Sequence, residues 1–156
     1  MSRRRAATGT PSLSPDVVLQ FLRTIWRLEH ALERASKRME SSMGVSGPQR
    51  FALRMIATRP GLSAGELAEA LHLHPSTITG IVRRLVSRRL ITRSANSTDG
   101  RVVHLNLTNA GRAITKPAAA GSIERAVQRT LSRTSPSGRA SAEALLDELT
   151  LQLSKT

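Results

Sequence analysis

The sequence predicts a mainly α-helical fold in which one small antiparallel β-hairpin follows a pair of short helices, with longer helices on either side. Three observations predict it. Two helix-start signals stand close together between Leu62 and Ile78, an alternating strand pattern follows an Asp-Gly turn, and apolar residues recur every three or four positions near both ends of the chain.

The first start signal is Ser63 followed by Glu66, a capping box in which the hydroxyl accepts an orphan helical N–H and the carboxylate reaches back to the cap. Leu62 and Leu67 flank it at the spacing of a hydrophobic staple, so a helix starts at Ala64. The device recurs at Leu73, His74, Pro75 and Ile78, with the proline at a first helical position where its missing N–H costs nothing. With Leu67, Ala68, Leu71, Ile78, Ile81, Val82 and Leu85 inward, the two helices form a helix-turn-helix. Ser76, Thr77, Thr79, Gly80, Arg83, Arg84 and Ser87 then occupy the outer face of the second helix, and Arg88 follows it. Residues 90–94 and 102–107 are strand-capable, and residues 95–101 form a polar hairpin tip with the Asp99-Gly100 turn signal. A helix-turn-helix followed by such a hairpin is a winged helix-turn-helix, spanning about 48–108.

The flanks follow from the same rules. Residues 1–14 are rich in Arg, Ser, Thr, Gly and Pro and predict a disordered basic arm. Ser14 and Pro15 open a helix over about 15–42, with Val18, Phe21, Ile25, Leu28, Leu32, Ala35 and Met39 as an apolar stripe that Leu19, Leu22 and Trp26 widen. The stripe is long for a small winged domain, and a second copy of the chain would cover the excess. Gly44, Gly47 and Pro48 break the chain before a helix from about Pro48 to Thr58, which Arg59-Pro60-Gly61 ends. Thr108 caps a helix that Pro117 kinks or restarts, and Ser135-Pro136 opens a last helix with Leu145, Leu146, Leu149 and Leu153 on an apolar face.

Composition narrows the partner. A net charge of +13 and a pI near 11.9 favour an anion. The excess lies between Arg50 and Arg112, and no acidic residue occurs between His72 and Thr98. Hydroxyl side chains at a helix N-terminus followed by arginines suit a major groove, with Ser76, Thr77, Thr79 and Arg83 toward base edges and Arg84, Arg88 and Arg93 toward phosphate. Gly80 allows close approach to the DNA backbone or merely shortens the list of bases read. The aromatic residues are Phe21, Trp26 and Phe51, none of them in the acid-free stretch between His72 and Thr98, which disfavours single-strand readers that stack bases. No cysteine is present, so disulfides, thiolate nucleophiles and cysteine-based oxidant sensing are excluded.

No apolar run reaches the length of a membrane span, and Arg3-Arg4-Arg5 is not followed by the apolar stretch of a twin-arginine signal, so a cytoplasmic chain without membrane partners is expected. No glycine-rich phosphate loop, nucleophile motif or clustered carboxylate pair stands in the sequence, which argues against an enzyme. His72, His74 and His104 lack the companions of a metal site, so no metal and no cofactor is expected. His74 reads as a cap or a phosphate contact, or else as a solvated turn residue.

The winged stretch resembles the MarR family of bacterial transcription regulators, whose wing carries a D-x-R motif followed by a strand and L-T-x-x-G. Here these are Asp99-Gly100-Arg101 and Leu107-Thr108-Asn109-Ala110-Gly111. The order of helices is similar to that family across nearly the whole chain, which makes residues 15–156 one domain. The resemblance implies that Arg101 enters a minor groove while Asp99 helps to hold it. It further implies a two-fold homodimer built by helices at about 15–42 and 109–153, with Val18, Phe21, Leu145 and Leu149 among its residues. The partner would be double-stranded DNA with a pseudopalindromic operator, the function regulation of transcription as a repressor.

Family members often bind small phenolic or aromatic anions between the dimer helices and the winged core. Two readings stay open for Trp26, His30, Phe51 and Arg54: they line such an effector site, or the aromatics are core and the cations surface. Also open is a basic architectural protein that coats DNA without an operator, which would lose little affinity on a scrambled sequence.

Overall fold

The computed structural model describes residues 13–95, 103–116 and 122–155. The chain divides into two units, residues 1–34 and residues 35–156. Helix α1 (Pro15–Met43) starts in the first and ends in the second. Its first turn closes on the Ser14 carbonyl, which accepts from the Val17 and Val18 N–H groups at 3.1 and 3.4 Å. Within the first unit the helix leaves Val17, Val18, Leu19, Phe21, Trp26, Leu28 and Leu32 exposed.

The second unit continues with α2 (Gly47–Thr58), α3 (Ala64–Leu71), α4 (Pro75–Ser87), β1 (Ile91–Ala95), β2 (Val103–Leu107), α5 (Asn109–Thr115), α6 (Ile123–Leu131) and α7 (Pro136–Leu153). Val45, Ala52, Leu53, Ile56, Leu62, Leu67, Ala68, Ile78, Ile81, Val82, Leu85, Leu90, Ile91 and Leu105 form one buried cluster. One apolar stripe each from α2, α3 and α4 meets there, and the strands close the open side.

The strands pair antiparallel with Ile91 opposite Leu107, Arg93 opposite Leu105 and Ala95 opposite Val103. The segment before α3 adds a partial third strand. Gly61 N–H donates to the Leu105 carbonyl at 3.1 Å and Leu105 N–H to the Leu62 carbonyl at 2.9 Å, beside a bridge between Ser63 and His104. His104 Nδ1 also contacts the Gly61 carbonyl, so the wing is fastened to the start of the helix-turn-helix. Sequence periodicity missed this tie, because three residues make no strand pattern.

The L-T-x-x-G segment has a local physical cause. Thr108 Oγ1 accepts from Gly111 N–H at 3.0 Å and donates to the Arg89 carbonyl at 2.7 Å, joining the start of α5 to the connection between α4 and β1. A Cβ on Gly111 would overlap the Leu90 carbonyl oxygen, so only glycine fits that close approach. The helix that Pro117 was expected to kink or restart is two helices: α5 ends at Thr115, and Ser122 opens α6 by accepting from Arg125 N–H at 3.3 Å. Pro117 itself lies outside the described residues.

Arg50 corrects the charge reading. It is 2% exposed, and its Nε donates to both carboxylate oxygens of Glu124 at 2.8 and 2.9 Å. Its remaining nitrogens donate to the Ile114 and Lys116 carbonyls. Arg50 therefore adds nothing to the basic surface; it fastens α2 to the end of α5 and the start of α6. Arg112 is likewise committed, to the Leu107 carbonyl at 2.9 Å and Asn109 Oδ1 at 2.7 Å.

Candidate nucleic-acid interface

The turn between α3 and α4 is built by two caps that face each other. At the end of α3, Leu73 N–H donates to the Ala68 carbonyl at 3.0 Å and His72 N–H to the Glu69 carbonyl at 3.1 Å, with His72 left-handed at φ 49°. This is a Schellman closure with histidine where glycine is the commoner residue. Two residues later His74 is the N-cap of α4, its Nδ1 accepting from Ser76 N–H at 3.3 Å and lying 2.7 Å from Ser76 Oγ. Of the roles open to His74, the capping one is thus present. The start of α3 is as expected: Ser63 Oγ accepts from Glu66 N–H at 3.2 Å while Glu66 accepts from Ser63 N–H at 2.7 Å. The Ser63 N–H, and then the Ser63 hydroxyl, hydrogen-bond the Glu66 carboxyl and hold it below the usual carboxylate range.

On α4, Ile78, Ile81, Val82 and Leu85 are buried, and Ser76, Thr77, Thr79, Arg83, Arg84 and Ser87 are exposed on the other side. Gly80 is half-buried, yet a Cβ there would meet nothing within 4 Å. Thr79 Oγ1 donates to the Pro75 carbonyl at 2.9 Å and Ser87 Oγ to the Arg84 carbonyl at 2.9 Å. The helix ends in a second Schellman closure, Leu90 N–H to the Leu85 carbonyl at 2.9 Å and Arg89 N–H to the Val86 carbonyl at 2.8 Å, with Arg89 left-handed at φ 55°. Arg88 is exposed and its guanidinium leans over Gly44, where a Cβ would collide with it. Arg93 is exposed on β1. Asp99 and Arg101, the two wing-tip candidates, lie outside the described residues.

Arg83, Arg84, Arg88, Arg89 and Arg93 thus stand on one stretch with no acidic residue among the described positions from His72 to Ala95. Positive charge beside exposed hydroxyls at a helix start is suited to a polyanion.

The four effector candidates fall on different elements. Trp26 and His30 are exposed on α1, with His30 Nδ1 3.7 Å from the Glu29 carboxylate. Phe51 is 52% exposed on α2, so it is not core, and neither is Trp26 at 57%. Arg54 is half-buried and donates to the Thr115 carbonyl at 2.7 Å, so it is not a free surface cation. Of the dimer candidates, Val18, Phe21 and Leu145 are exposed and Leu149 is half-buried, and no residue of α6 or α7 described as helical is fully buried. Among the described residues no helix is long and apolar enough to cross a membrane.

Comparison with known proteins bears on this geometry. Residues 45–103 match the sequence profile of the MarR family. The chain is 29% identical over 137 residues to the HTH-type transcriptional repressor Rv2887 of Mycobacterium tuberculosis, covering 88% of this chain and 96% of that protein. It is 32% identical over 130 residues to a Thauera aromatica protein assigned to transcriptional regulation of the hcr operon, covering 81% of this chain and 75% of the relative. Its fold is similar to that of Staphylococcus aureus MepR in a DNA complex, with a TM-score of 0.70 at 22% identity over 90% of this chain and 99% of that one. The winged helix-turn-helix, the L-T-x-x-G segment and these matches together place the chain in the MarR family of transcription regulators, which are not enzymes.

Proposed function

We propose that this chain is a sequence-specific repressor that binds double-stranded DNA as a homodimer on a pseudopalindromic operator. The observation that carries the reading is α4, exposed along one face that bears Ser76, Thr77, Thr79, Arg83 and Arg84 and seated on the core by the other. Two such helices related by a two-fold axis would enter successive major grooves about 10 bp apart. Ser76, Thr77, Thr79 and Arg83 then face base edges, with Gly80 between them; Arg84, Arg88 and Arg93 hold phosphate. The wing would add Arg101 in a flanking minor groove, with Asp99 orienting it. That the relatives include proteins named repressors supports the sign of regulation.

The winged core at about 48–108 reads DNA in this account, and helices from about 15–42 and 109–153 pair the subunits. Exposed Val18, Phe21 and Leu145 supply apolar surface for that pairing. A small aromatic or anionic effector would act by changing the spacing of the two α4 helices, with Trp26, His30, Phe51 and Arg54 as its contacts; the exposed Trp26 and Phe51 rings favour this over a core role.

Selection of DNA fragments by the purified protein tests the reading. A recurring palindrome is the expected result. Recovery of unrelated fragments, with equal affinity for scrambled sequence, would make the chain an architectural coat instead. In the same titrations Arg101→Ala is expected to weaken operator binding by on the order of 1 to 3 kcal/mol without lowering thermal stability, and unchanged affinity at matched salt would remove the wing from the account.

A further inference from the structure

Hydroxyl groups on a recognition helix can donate or accept, and which they do decides the base edge they can read. Two of the three hydroxyls on the leading face of α4 have already spent their hydrogen. A carbonyl only accepts, so the bond between Thr79 Oγ1 and the Pro75 carbonyl at 2.9 Å fixes Thr79 as donor to its own helix. At Ser76 the same conclusion comes through His74. A backbone N–H only donates, and Ser76 N–H points at His74 Nδ1 from 3.3 Å, so that nitrogen carries the lone pair. In the tautomer with Nδ1 unprotonated, which this cap requires, Ser76 Oγ, 2.7 Å from the same nitrogen, is the donor in their contact. Thr77 differs, since its hydroxyl makes no hydrogen bond among the described residues and keeps its proton.

We infer that Ser76 and Thr79 face DNA as acceptors only, so that they recognise the exocyclic amino groups of adenine N6 or cytosine N4, while donor recognition of guanine O6 and N7 falls to Arg83. The inference rests on the reading that α4 lies in the major groove. His74 is the positioning residue: it touches no base, and by occupying the Ser76 proton it sets the polarity of the neighbouring side chain. A phosphate oxygen accepts and cannot bond an acceptor, so neither Ser76 nor Thr79 serves as a phosphate anchor. Thr77, with its own proton available, is the hydroxyl that can donate to an acceptor on a base edge.

The test combines protein variants with deletion of single base groups in the operator recovered by selection. Adenine is replaced by purine, or cytosine by 2-pyrimidinone, to remove one amino group; 7-deazapurines remove one N7 acceptor. The wild-type protein is expected to lose about tenfold in affinity at the amino deletions opposite Ser76 and Thr79. Ser76→Ala and Thr79→Val are expected to bind intact and amino-deleted DNA alike at those positions, and Arg83→Ala to become indifferent to N7 deletion. His74→Ala frees the Ser76 proton and is expected to create sensitivity to N7 deletion at the Ser76 position; His74→Asn, which keeps an accepting cap, is not. Melting temperature and affinity for scrambled DNA verify that each variant is folded.

If Ser76 or Thr79 couples to N7 instead of an amino group, the inference falls while the docking of α4 stands. If both are indifferent to every base group while Arg83 couples, the hydroxyls read nothing and the inference again falls alone. If Arg83 is indifferent too, the placement of α4 in the groove falls with it.

Discussion

Gly80 and Gly111 are both glycines inside helices, and the space around each gives them opposite meanings. A Cβ on Gly111 would run into the backbone carbonyl of Leu90, which cannot yield without moving the end of the α4–β1 connection. Gly111→Ala is therefore expected to destabilise the fold by about 2 kcal/mol, read as a lower urea midpoint at constant slope. At Gly80 a Cβ meets open space, so alanine relieves the entropic cost of a helical glycine and should stabilise by about 1 kcal/mol. No described residue crowds this position, so if α4 enters the groove as proposed and the glycine serves close approach of DNA, Gly80→Ala should raise the melting temperature yet weaken operator binding. Unchanged affinity would leave Gly80 as a position that simply reads no base. The caps around these residues were legible because a cap and its partner lie within a few positions: Ser63 with Glu66, Ser135 with Gly138 N–H at 3.1 Å. The left-handed His72 and Arg89 were not, since neither residue type announces that conformation as glycine does.

Among elements, the join of α2, α5 and α6 depends on one side chain. Arg50 satisfies the carbonyls of Ile114 and Lys116 at the end of α5 and both Glu124 oxygens at the start of α6. Arg50→Met keeps the side-chain length and removes every donor, taking from the Glu124 carboxylate its cationic partner and from the Ile114 and Lys116 carbonyls their Arg50 donors. The expected cost is about 3 kcal/mol, at the lower end for a broken buried pair because Glu124 still meets some water. Burial pushes the Glu124 carboxyl upward, and the hydrogen bonds from Arg50, its own backbone and Ser122, together with the Arg50 charge, outweigh it, so its pKa lies below the ordinary 4.5. A depressed folded pKa means the contribution is complete above the ordinary value and disappears as pH falls through the folded one. Denaturant midpoints should therefore decline on acidification below about pH 4.5, and Arg50→Met should flatten that decline. An equal acid slope in both proteins would assign the loss to other carboxylates. Sequence reading counted Arg50 with the basic surface because Glu124 is far away in the chain, and a long-range pair leaves no periodic trace. The winged core itself was legible, since its helices are each short, amphipathic and bounded by their own signals.

At the scale of the whole molecule, the terminal helices pose the question that the winged core answers for itself. The core buries its own apolar stripes, whereas Leu145 and Leu146 on α7, like Val127 and Leu131 on α6, remain exposed in a single chain. Residues 15–34 of α1 carry their own exposed series, including Phe21 and Trp26. Exposed apolar surface of this extent is what the proposed homodimer would cover, each subunit offering the same patch to the other across a two-fold axis. The double variant Leu145→Asp and Leu149→Asp puts charge into that surface without touching the core cluster, to which neither residue belongs. It is expected to sediment as a single subunit at micromolar concentration while keeping the far-ultraviolet dichroism of a folded winged helix. One subunit presents one α4, so operator affinity should fall by orders of magnitude and the slope of log affinity against log salt should roughly halve with the number of phosphates neutralised. If the variant sediments as wild type does, α7 lies outside the interface and the pairing rests on α1. If it is a single subunit with undiminished operator affinity and salt slope, two-fold reading of the operator is wrong.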